Sequence, residues 1–190
     1  MTTRNEQKEI RRNKILMTAL DLFIRKGFAA TKITDIARAS DMSMGLMFHY
    51  FESKEHLYEV LVQRGLSKPQ SVMSVNQDDP LAFFEGAAEH ILDQAKRNPF
   101  VAKMFVLMSQ AANNDFLSEE TRNHLKRYNI HQSAEIIRVG QRDGTIREGD
   151  PVALSVAFWA AIQGICQAVV MDSGLPFPDS SWVVDILRKK

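Results

Sequence analysis

Cysteine, proline and glycine are scarce in this chain of 190 residues, and each scarcity excludes a class of protein. Cys166 is the only cysteine, so the chain has no intrachain disulfide and a reducing compartment is expected. The six prolines and nine glycines are few and clustered, which argues against a fold built from many tight turns. No regular alternation of apolar and polar residues between turn residues indicates a β-strand. The sequence therefore favours an all-α fold.

We also find no sequence signal for secretion or for membrane insertion. Residues 1–14 are charged rather than apolar, which argues against a secretory signal peptide. We interpret no apolar run as approaching the roughly 18 residues that a membrane span needs. We therefore expect a soluble, cytoplasmic protein with no membrane partner.

The sequence patterns typical of enzymes do not occur either. There is no Gly-rich phosphate loop, no His-Glu-x-x-His, no Gly-x-Ser-x-Gly and no Cys-x-x-Cys. One predicted helical stripe has the spacing of metal ligands, but three arginines share its face, which favours exposure to solvent. The stripe consists of His124, Tyr128, His131 and Glu135, and the arginines are Arg127, Arg138 and Arg142. We expect no enzyme activity, no cofactor and no metal site.

Charge is unevenly distributed along the chain, although the net charge is only +1. Residues 1–68 contain twelve Lys and Arg against eight Asp and Glu, whereas residues 69–190 contain twelve against fifteen. A basic N-terminal part on an acidic remainder is typical of a protein in which only the first part meets a polyanion.

Apolar residues recur at three- and four-residue spacing along most of the chain, which predicts about nine amphipathic helices. One long helix is predicted for residues 118–142, and a final helix of about eleven residues for 180–190. The stretch 67–79 is polar and irregular, and it predicts a boundary between a first domain, 1–66, and a second, 67–190.

Capping residues mark where several of these helices begin. Thr31 and Ser53 are suited to cap helices in the first domain. In the second domain, Asp79-Pro80 and Asp150-Pro151 each place a capping carboxylate before a proline at the first helical position.

Residues 27–57 contain the pattern that indicates a function: two short helices joined by a tight turn, after a longer supporting helix. The pattern consists of Gly27-Phe28, Thr31, Ile33, Asp35-Ile36-Ala37, Ser43, Gly45, His49-Tyr50-Phe51, Ser53-Lys54-Glu55 and Leu57. In a helix-turn-helix, the second short helix enters the DNA major groove while the first crosses the backbone. We assign the apolar members Ile36, Ala37, Phe51 and Leu57 to the core of this head.

This run resembles the head of the tetracycline-repressor (TetR) family, whose pattern is Gly-aromatic, Thr, Ile-Ala, a turn, Ser-x-Gly, Tyr-x-Tyr-Phe and Ser-Lys-Glu-x-Leu. The resemblance covers residues 12–62 closely and the rest loosely, around Gly144, Asp150-Pro151 and Gly164. It implies a DNA-binding head on a helical ligand-binding and dimerisation domain. It further implies a homodimeric repressor that grips a palindromic double-stranded operator and responds to a small-molecule effector by moving the fourth helix.

Three positions depart from the family pattern. Asp41 replaces the usual turn glycine, and Asp tolerates the left-handed conformation better than most residues. Phe48 replaces the first tyrosine and so lacks a hydroxyl, and Met44 replaces a common basic residue. The alternative interpretation is therefore a helical protein-interaction module with a decayed head, which a salt-dependent gel shift with genomic fragments distinguishes.

Side chains that contact DNA are expected on and around the second short helix. The candidates are Thr31, Lys32, Thr34, Ser43, Met44, Gly45, Phe48, His49, Tyr50 and Lys54. Among them, we expect Lys54 to contact a phosphate, and His49 and Ser43 to set the sequence preference.

Methionine and aromatic side chains on facing stripes of the second domain suit an apolar or amphipathic effector, although such residues more often form plain core. The candidate ligand-binding residues are Met104, Phe105, Met108, Phe158, Trp159, Gln163 and Gln167. The two glutamines would supply the polar contacts, and Cys166 is expected to be a small buried apolar residue.

A ridge of small residues on the helix that follows Asp150 predicts a dimer interface, because small side chains let two helices approach closely. The ridge consists of Ala153, Ala157, Ala160, Ala161, Gly164 and Ala168. Together with the final helix, it would form a four-helix interface with a twofold-related copy. The alternative is that both helices are core within one chain.

Overall fold

The computed structural model describes residues 3–67, 79–112, 114–127 and 130–189, and over these ranges it contains ten α-helices and no strand. In chain order they are α1 (Arg4–Lys26), α2 (Ile33–Ala39), α3 (Met44–Tyr50), α4 (Lys54–Ser67), α5 (Pro80–Arg97), α6 (Pro99–Ala111), α7 (Glu119–Arg127), α8 (Ile130–Arg142), α9 (Pro151–Met171) and α10 (Ser180–Val184). The all-α prediction is confirmed. The predicted helix 118–142 is described as two helices, α7 and α8, with residues 128 and 129 outside the described ranges.

The chain divides into two compact units, Met1–Gly65 and Leu66–Lys190. We call the first unit the head and the second the body. Most of the polar stretch from which a domain boundary is predicted, residues 68–78, lies outside the described residues.

The head is built on the long helix α1, whose apolar stripe is fully buried at Ile15, Leu16, Ala19, Leu20 and Phe23. The helix ends at Gly27, which has a φ of 78° and donates its N–H to the Phe23 carbonyl at 2.9 Å. A positive φ at this helix end suits glycine, which has no Cβ. The four residues assigned to the head core are confirmed as buried: Ile36, Ala37, Phe51 and Leu57.

The turn between α2 and α3 contains Asp41, whose φ is 59°. This is the left-handed conformation expected where the resembled family has glycine, and Asp adopts it more readily than most side chains. The Met42 N–H donates to the Ala37 carbonyl at 2.9 Å, which holds the turn closed. The tight turn is therefore kept despite the replacement.

Caps predicted in the body are confirmed by hydrogen bonds. The Asp79 carboxylate accepts from the Ala82 N–H at 3.0 Å, and the Asp150 carboxylate accepts from the Ala153 N–H at 2.9 Å. Both helices carry proline in the first turn. Asn98 caps α6 in the same way, accepting from the Phe100 N–H at 3.1 Å.

The body core lies where α5 and α6 pack against α9 and α10. Phe84 and Phe158 meet edge to face, with ring centroids 4.9 Å apart. Cys166 belongs to this core, and burial raises the pKa of its thiol to about 11. The thiol therefore stays neutral near pH 7 and packs as a small apolar group.

Helix α9 corrects one expectation from the sequence. By length and composition, Pro151–Met171 is apolar enough to cross a membrane, with a hydropathy of 1.7 over an 18-residue window. A single such helix is weak evidence for a membrane span, and 22% of that window is buried within the chain. Here the helix packs against α6 and α8, and the Ser155 hydroxyl donates to the Ile130 carbonyl at 2.8 Å.

The end of the described chain also differs from the prediction. Helix α10 has only five residues, and a turn and a bridge between Arg188 and Ile146 replace the rest of the predicted helix. The Arg188 guanidinium donates to the carboxylates of Glu85 at 2.9 Å and Asp185 at 3.0 Å. These contacts fix the segment in place of further helical turns.

Candidate functional site

Helix α3 presents one face to solvent and buries the other in the head. Met47 is fully buried, whereas Gly45, Phe48 and His49 are exposed. Ser43 begins the helix as its N-cap, since its hydroxyl accepts from the Leu46 N–H at 3.2 Å. A short helix held this way on a rigid core has the arrangement that a recognition helix needs.

Most of the predicted DNA-binding residues are accessible. Lys32, Thr34, Ser43, Gly45, Phe48 and His49 are exposed, and Met44 and Tyr50 are half-buried. The exposed residues belong to two neighbouring places, the first turn of α2 and its approach, and the outer face of α3 with its cap. The exposed surface of the two short helices thus carries hydroxyls, an ammonium, an imidazole and an aromatic ring.

Thr31 is a correction. Its side chain is fully buried, and its hydroxyl donates to the Gly27 carbonyl at 2.8 Å and to the Leu22 carbonyl at 3.3 Å. Thr31 therefore ties the connection after α1 to the end of that helix, and its side chain is not accessible to DNA. Nor does it cap α2, whose N-cap is Lys32.

Lys54 is the second correction. Its ammonium donates to the Phe28 carbonyl at 2.9 Å and to the Thr31 carbonyl at 3.1 Å, and it lies 4.3 Å from the centre of the Phe28 ring. Two of its three N–H groups are thus used inside the head. Lys54 fastens the start of α4 to the connection between α1 and α2, whereas a contact of this ammonium with a phosphate was expected.

Two further contacts in the head were missed by the sequence reasoning. The Arg12 guanidinium lies 5.3 Å from the centre of the Phe51 ring, and the Arg64 guanidinium donates to the Asn13 amide oxygen at 2.8 Å. Burial, and then the nearby charge of Arg12, lower the pKa of Arg64. No local spacing signals these contacts, because the partners are 39 and 51 residues apart along the chain.

The head and much of the rest of the chain are similar in sequence to known proteins. The family described as "Bacterial regulatory proteins, tetR family" matches residues 15–61. The transcriptional regulator RutR of Escherichia coli K12 is 26% identical over 162 residues, which are 84% of this chain and 76% of RutR. The biofilm-operon negative regulator IcaR of Staphylococcus epidermidis is 24% identical over 130 residues, 67% of this chain and 68% of IcaR.

A solved structure extends the likeness to the whole fold. AibR in complex with isovaleryl coenzyme A and operator DNA has a TM-score of 0.67 and 18% identity, covering 92% of this chain and 94% of AibR. The chain is thus similar to TetR-family regulators of transcription, in sequence most clearly over the head and in fold over most of its length. TetR-family proteins are regulators of transcription and not enzymes.

In the body, the predicted ligand-binding residues lie on two helices that pack together, α6 and α9. Met104 is buried, and Phe105, Met108, Trp159 and Gln163 are half-buried. The Trp159 indole N–H donates to the Ser133 hydroxyl at 2.9 Å, which fixes the ring.

Two of the predicted ligand-binding residues are corrected by their positions. Gln167 is exposed, so its amide is not a polar contact inside the body. Phe158 is fully buried against Phe84 and Trp159, so it is a core residue rather than the wall of an open pocket.

The structure has a groove of about 720 Å³ elsewhere in the body, between α5 and the residues around α10. Its wall includes Glu89, His90 and Lys96 on one side and Phe177 and Trp182 on the other. None of the seven predicted ligand-binding residues lines this groove.

The candidate metal stripe gains no support from side-chain contacts. Glu135 forms an ion pair with Arg138, and Tyr128 lies outside the described residues. Over the described part of the chain, no group of three metal-ligating side chains comes together.

Proposed function

We propose that this TetR-family regulator binds a palindromic operator as a homodimer and represses transcription until a small-molecule effector releases it. The observation that carries the proposal is the exposed outer face of α3, at Gly45, Phe48 and His49. Lys32 and Thr34 would contact phosphates beside it, with Ser43 and Tyr50 at the ends of α3. The basic charge of residues 1–68 suits this polyanionic partner.

A homodimer is supported by the outer face of α9. This face exposes the small residues Ala153, Ala157, Ala160, Gly164 and Ala168. The opposite face buries Ser155, Phe158, Ile162 and Cys166. A Cβ at Gly164 would meet no atom within 4 Å, so the chain's own packing leaves this position open. A second copy of the same face would cover it, and twofold pairing is the commonest oligomeric arrangement.

Repression and release by an effector are proposed from the named relatives. IcaR is a negative regulator, and AibR was solved with both isovaleryl coenzyme A and operator DNA. In the present chain we assign an apolar or amphipathic effector to the region of Met104, Phe105, Met108, Trp159 and Gln163. Binding of effector and of DNA would be reciprocally coupled, so that each lowers the affinity for the other by the same factor. The protein would act in the cytoplasm, where its DNA target lies.

Selection of bound fragments from the native genome tests the DNA-binding part of the proposal. We expect enrichment of fragments that share an inverted repeat, with half-sites about one helical turn apart or a multiple of it. A decayed head would enrich nothing above the input. The closed turn at Asp41 favours an intact head over that alternative.

The effector site is tested with a bulky substitution on α6. Met108→Trp should fill the space beside α9 and reduce saturable binding of the apolar fluorescent probe 1-anilinonaphthalene-8-sulfonate, with dimer and DNA affinity unchanged. Gln110→Trp, at an exposed position of the same helix, is the matched control and should bind the probe like the wild type. Equal probe binding by all three proteins would contradict this location.

A further inference from the structure

Helix α3 contains no side chain that makes paired hydrogen bonds to a base. Its sequence from Met44 to Tyr50 has no Arg, Lys, Asn, Gln, Asp or Glu. Those are the residue types that recognise guanine, adenine and cytosine by hydrogen bonds in the major groove. Of the two hydrogen-bonding side chains within the helix, His49 is exposed and Tyr50 is half-buried.

The exposed face of α3 is instead dominated by an aromatic ring. Phe48 is 51% exposed, although Met47 beside it is fully buried. The other ten phenylalanines of the chain are all buried or half-buried. Covering a large apolar side chain on the outer face of a recognition helix with a partner is favourable, because it removes apolar surface from water.

Gly45 lies one helical turn before Phe48 and His49, and it too is exposed. It adds no side chain to the surface, so a base edge can approach the helix closely there. In the major groove, the apolar group available to an exposed ring is the C5-methyl of thymine.

We infer that this recognition helix reads thymine C5-methyl groups through apolar contact with Phe48, and not guanine or adenine through paired hydrogen bonds. The inference rests on the proposed operator binding and specifies its chemistry. The operator would carry thymine at the position that faces Phe48 in each half-site. His49 would add a single hydrogen bond at a neighbouring base.

Replacement of single thymines by uracil tests the inference, because uracil pairs like thymine but lacks the methyl group. In an operator obtained by genomic selection, each thymine is replaced symmetrically in both half-sites, and Kd is measured by fluorescence anisotropy. We expect one position at which uracil weakens binding by about fourfold per half-site, the effect of exposing one methyl group, or roughly fifteenfold for the two.

The same scan with Phe48→Ala assigns the effect to the ring. This variant should bind more weakly and lose its sensitivity to uracil at that position. The matched control is His49→Ala, which removes another side chain from the same face and should keep the sensitivity. Circular dichroism checks that both variants are folded, which is expected at exposed positions.

Three results would overturn the inference while leaving operator binding intact: all uracil positions within twofold of the parent, the same sensitivity in Phe48→Ala, or a larger loss on replacing guanine by 7-deazaguanine. Failure to enrich any DNA would overturn the proposed function as well. The wild-type uracil scan does not depend on the folding of any variant.

Discussion

At the scale of single residues, the folded head alone does not explain why position 45 is glycine. A Cβ built at Gly45 meets no atom within 4 Å, and its φ is not in the positive region. Neither packing nor backbone conformation therefore calls for glycine, which within a helix costs about 0.5–1 kcal/mol relative to alanine. We propose that the advantage of glycine here lies in the complex with DNA.

Gly45→Ala should accordingly have opposite effects on stability and on binding. We expect the free energy of unfolding to rise by about 0.5 kcal/mol and the affinity for the operator to fall, because the added methyl group holds the DNA away. Thermal denaturation and anisotropy titration measure the two effects. Gly27→Ala is the contrasting control, since its φ of 78° makes alanine strained and should lower stability. A Gly45→Ala protein with unchanged Kd would show that no DNA group approaches this position.

Residue-scale prediction from sequence succeeded where the partner is local and failed where it is distant. Ser53 was predicted as a cap, and its hydroxyl accepts from the His56 N–H three residues on, at 3.1 Å. Thr31 and Lys54 were assigned to DNA from their residue type and their place in the helix-turn-helix pattern. Their actual partners include Leu22 for Thr31 and Phe28 for Lys54, 9 and 26 residues away, and only the folded chain brings these groups together.

At the scale of elements, the start of α4 is joined to the connection between α1 and α2 by the Lys54 ammonium. The edge-to-face packing of Phe28 on Tyr58, with ring centroids 5.1 Å apart, adds a second link between the same parts. The two short helices lie between these two parts along the chain, so the junction links the residues before α2 to those after α3. We propose that Lys54 supports DNA binding through the shape of the head.

Exchanging lysines for methionine separates this role from a phosphate contact. Lys54→Met should lower the free energy of unfolding by about 1–3 kcal/mol, since it leaves two carbonyls without their charged donor, and should not change the salt dependence of binding. Lys32→Met, at an exposed position, should preserve stability but reduce the slope of log K against log salt by about one unit per head. Denaturant unfolding and salt titrations give both quantities. The reverse assignment of the two effects would restore Lys54 as a phosphate ligand.

Helix ends were predictable where a cap and a proline coincide, as at Asp79 and Asp150. The end of the chain was not predictable in the same way. The apolar residues Val183, Ile186 and Leu187 have helical spacing, but the bridge of Arg188 to Ile146 competes with a longer helix. Such a long-range pairing leaves no periodic signal in the sequence.

At the scale of the whole molecule, α9 is apolar on two faces that differ in their surroundings. One face completes the body core, and the other is exposed and rich in small residues. Sequence alone identified the small-residue ridge but underestimated how apolar the helix is, because the alanines and glycine contribute little each. A helix that is apolar all round needs cover on both sides.

Gly164→Leu tests the second copy as that cover. A leucine should overfill a close helix contact, shift the dimer toward monomer and weaken operator binding together with it. Gln132→Leu adds the same side chain at an exposed position of α8 and should remain dimeric. Sedimentation at micromolar concentration distinguishes the species. A wild-type monomer under these conditions, or a Gly164→Leu dimer of unchanged strength, would contradict the proposed interface.

The central claim is that two heads bind one operator through α3. The most direct test measures the stoichiometry and the Kd of binding at several salt concentrations. The chain is titrated into the selected fragment and into a scrambled fragment of equal length and composition, at several salt concentrations. We predict two chains per duplex, a Kd at least about a thousandfold tighter for the selected fragment, and a linear fall of log K with log salt. Equal affinity for both fragments, or binding that does not respond to salt, would contradict the account.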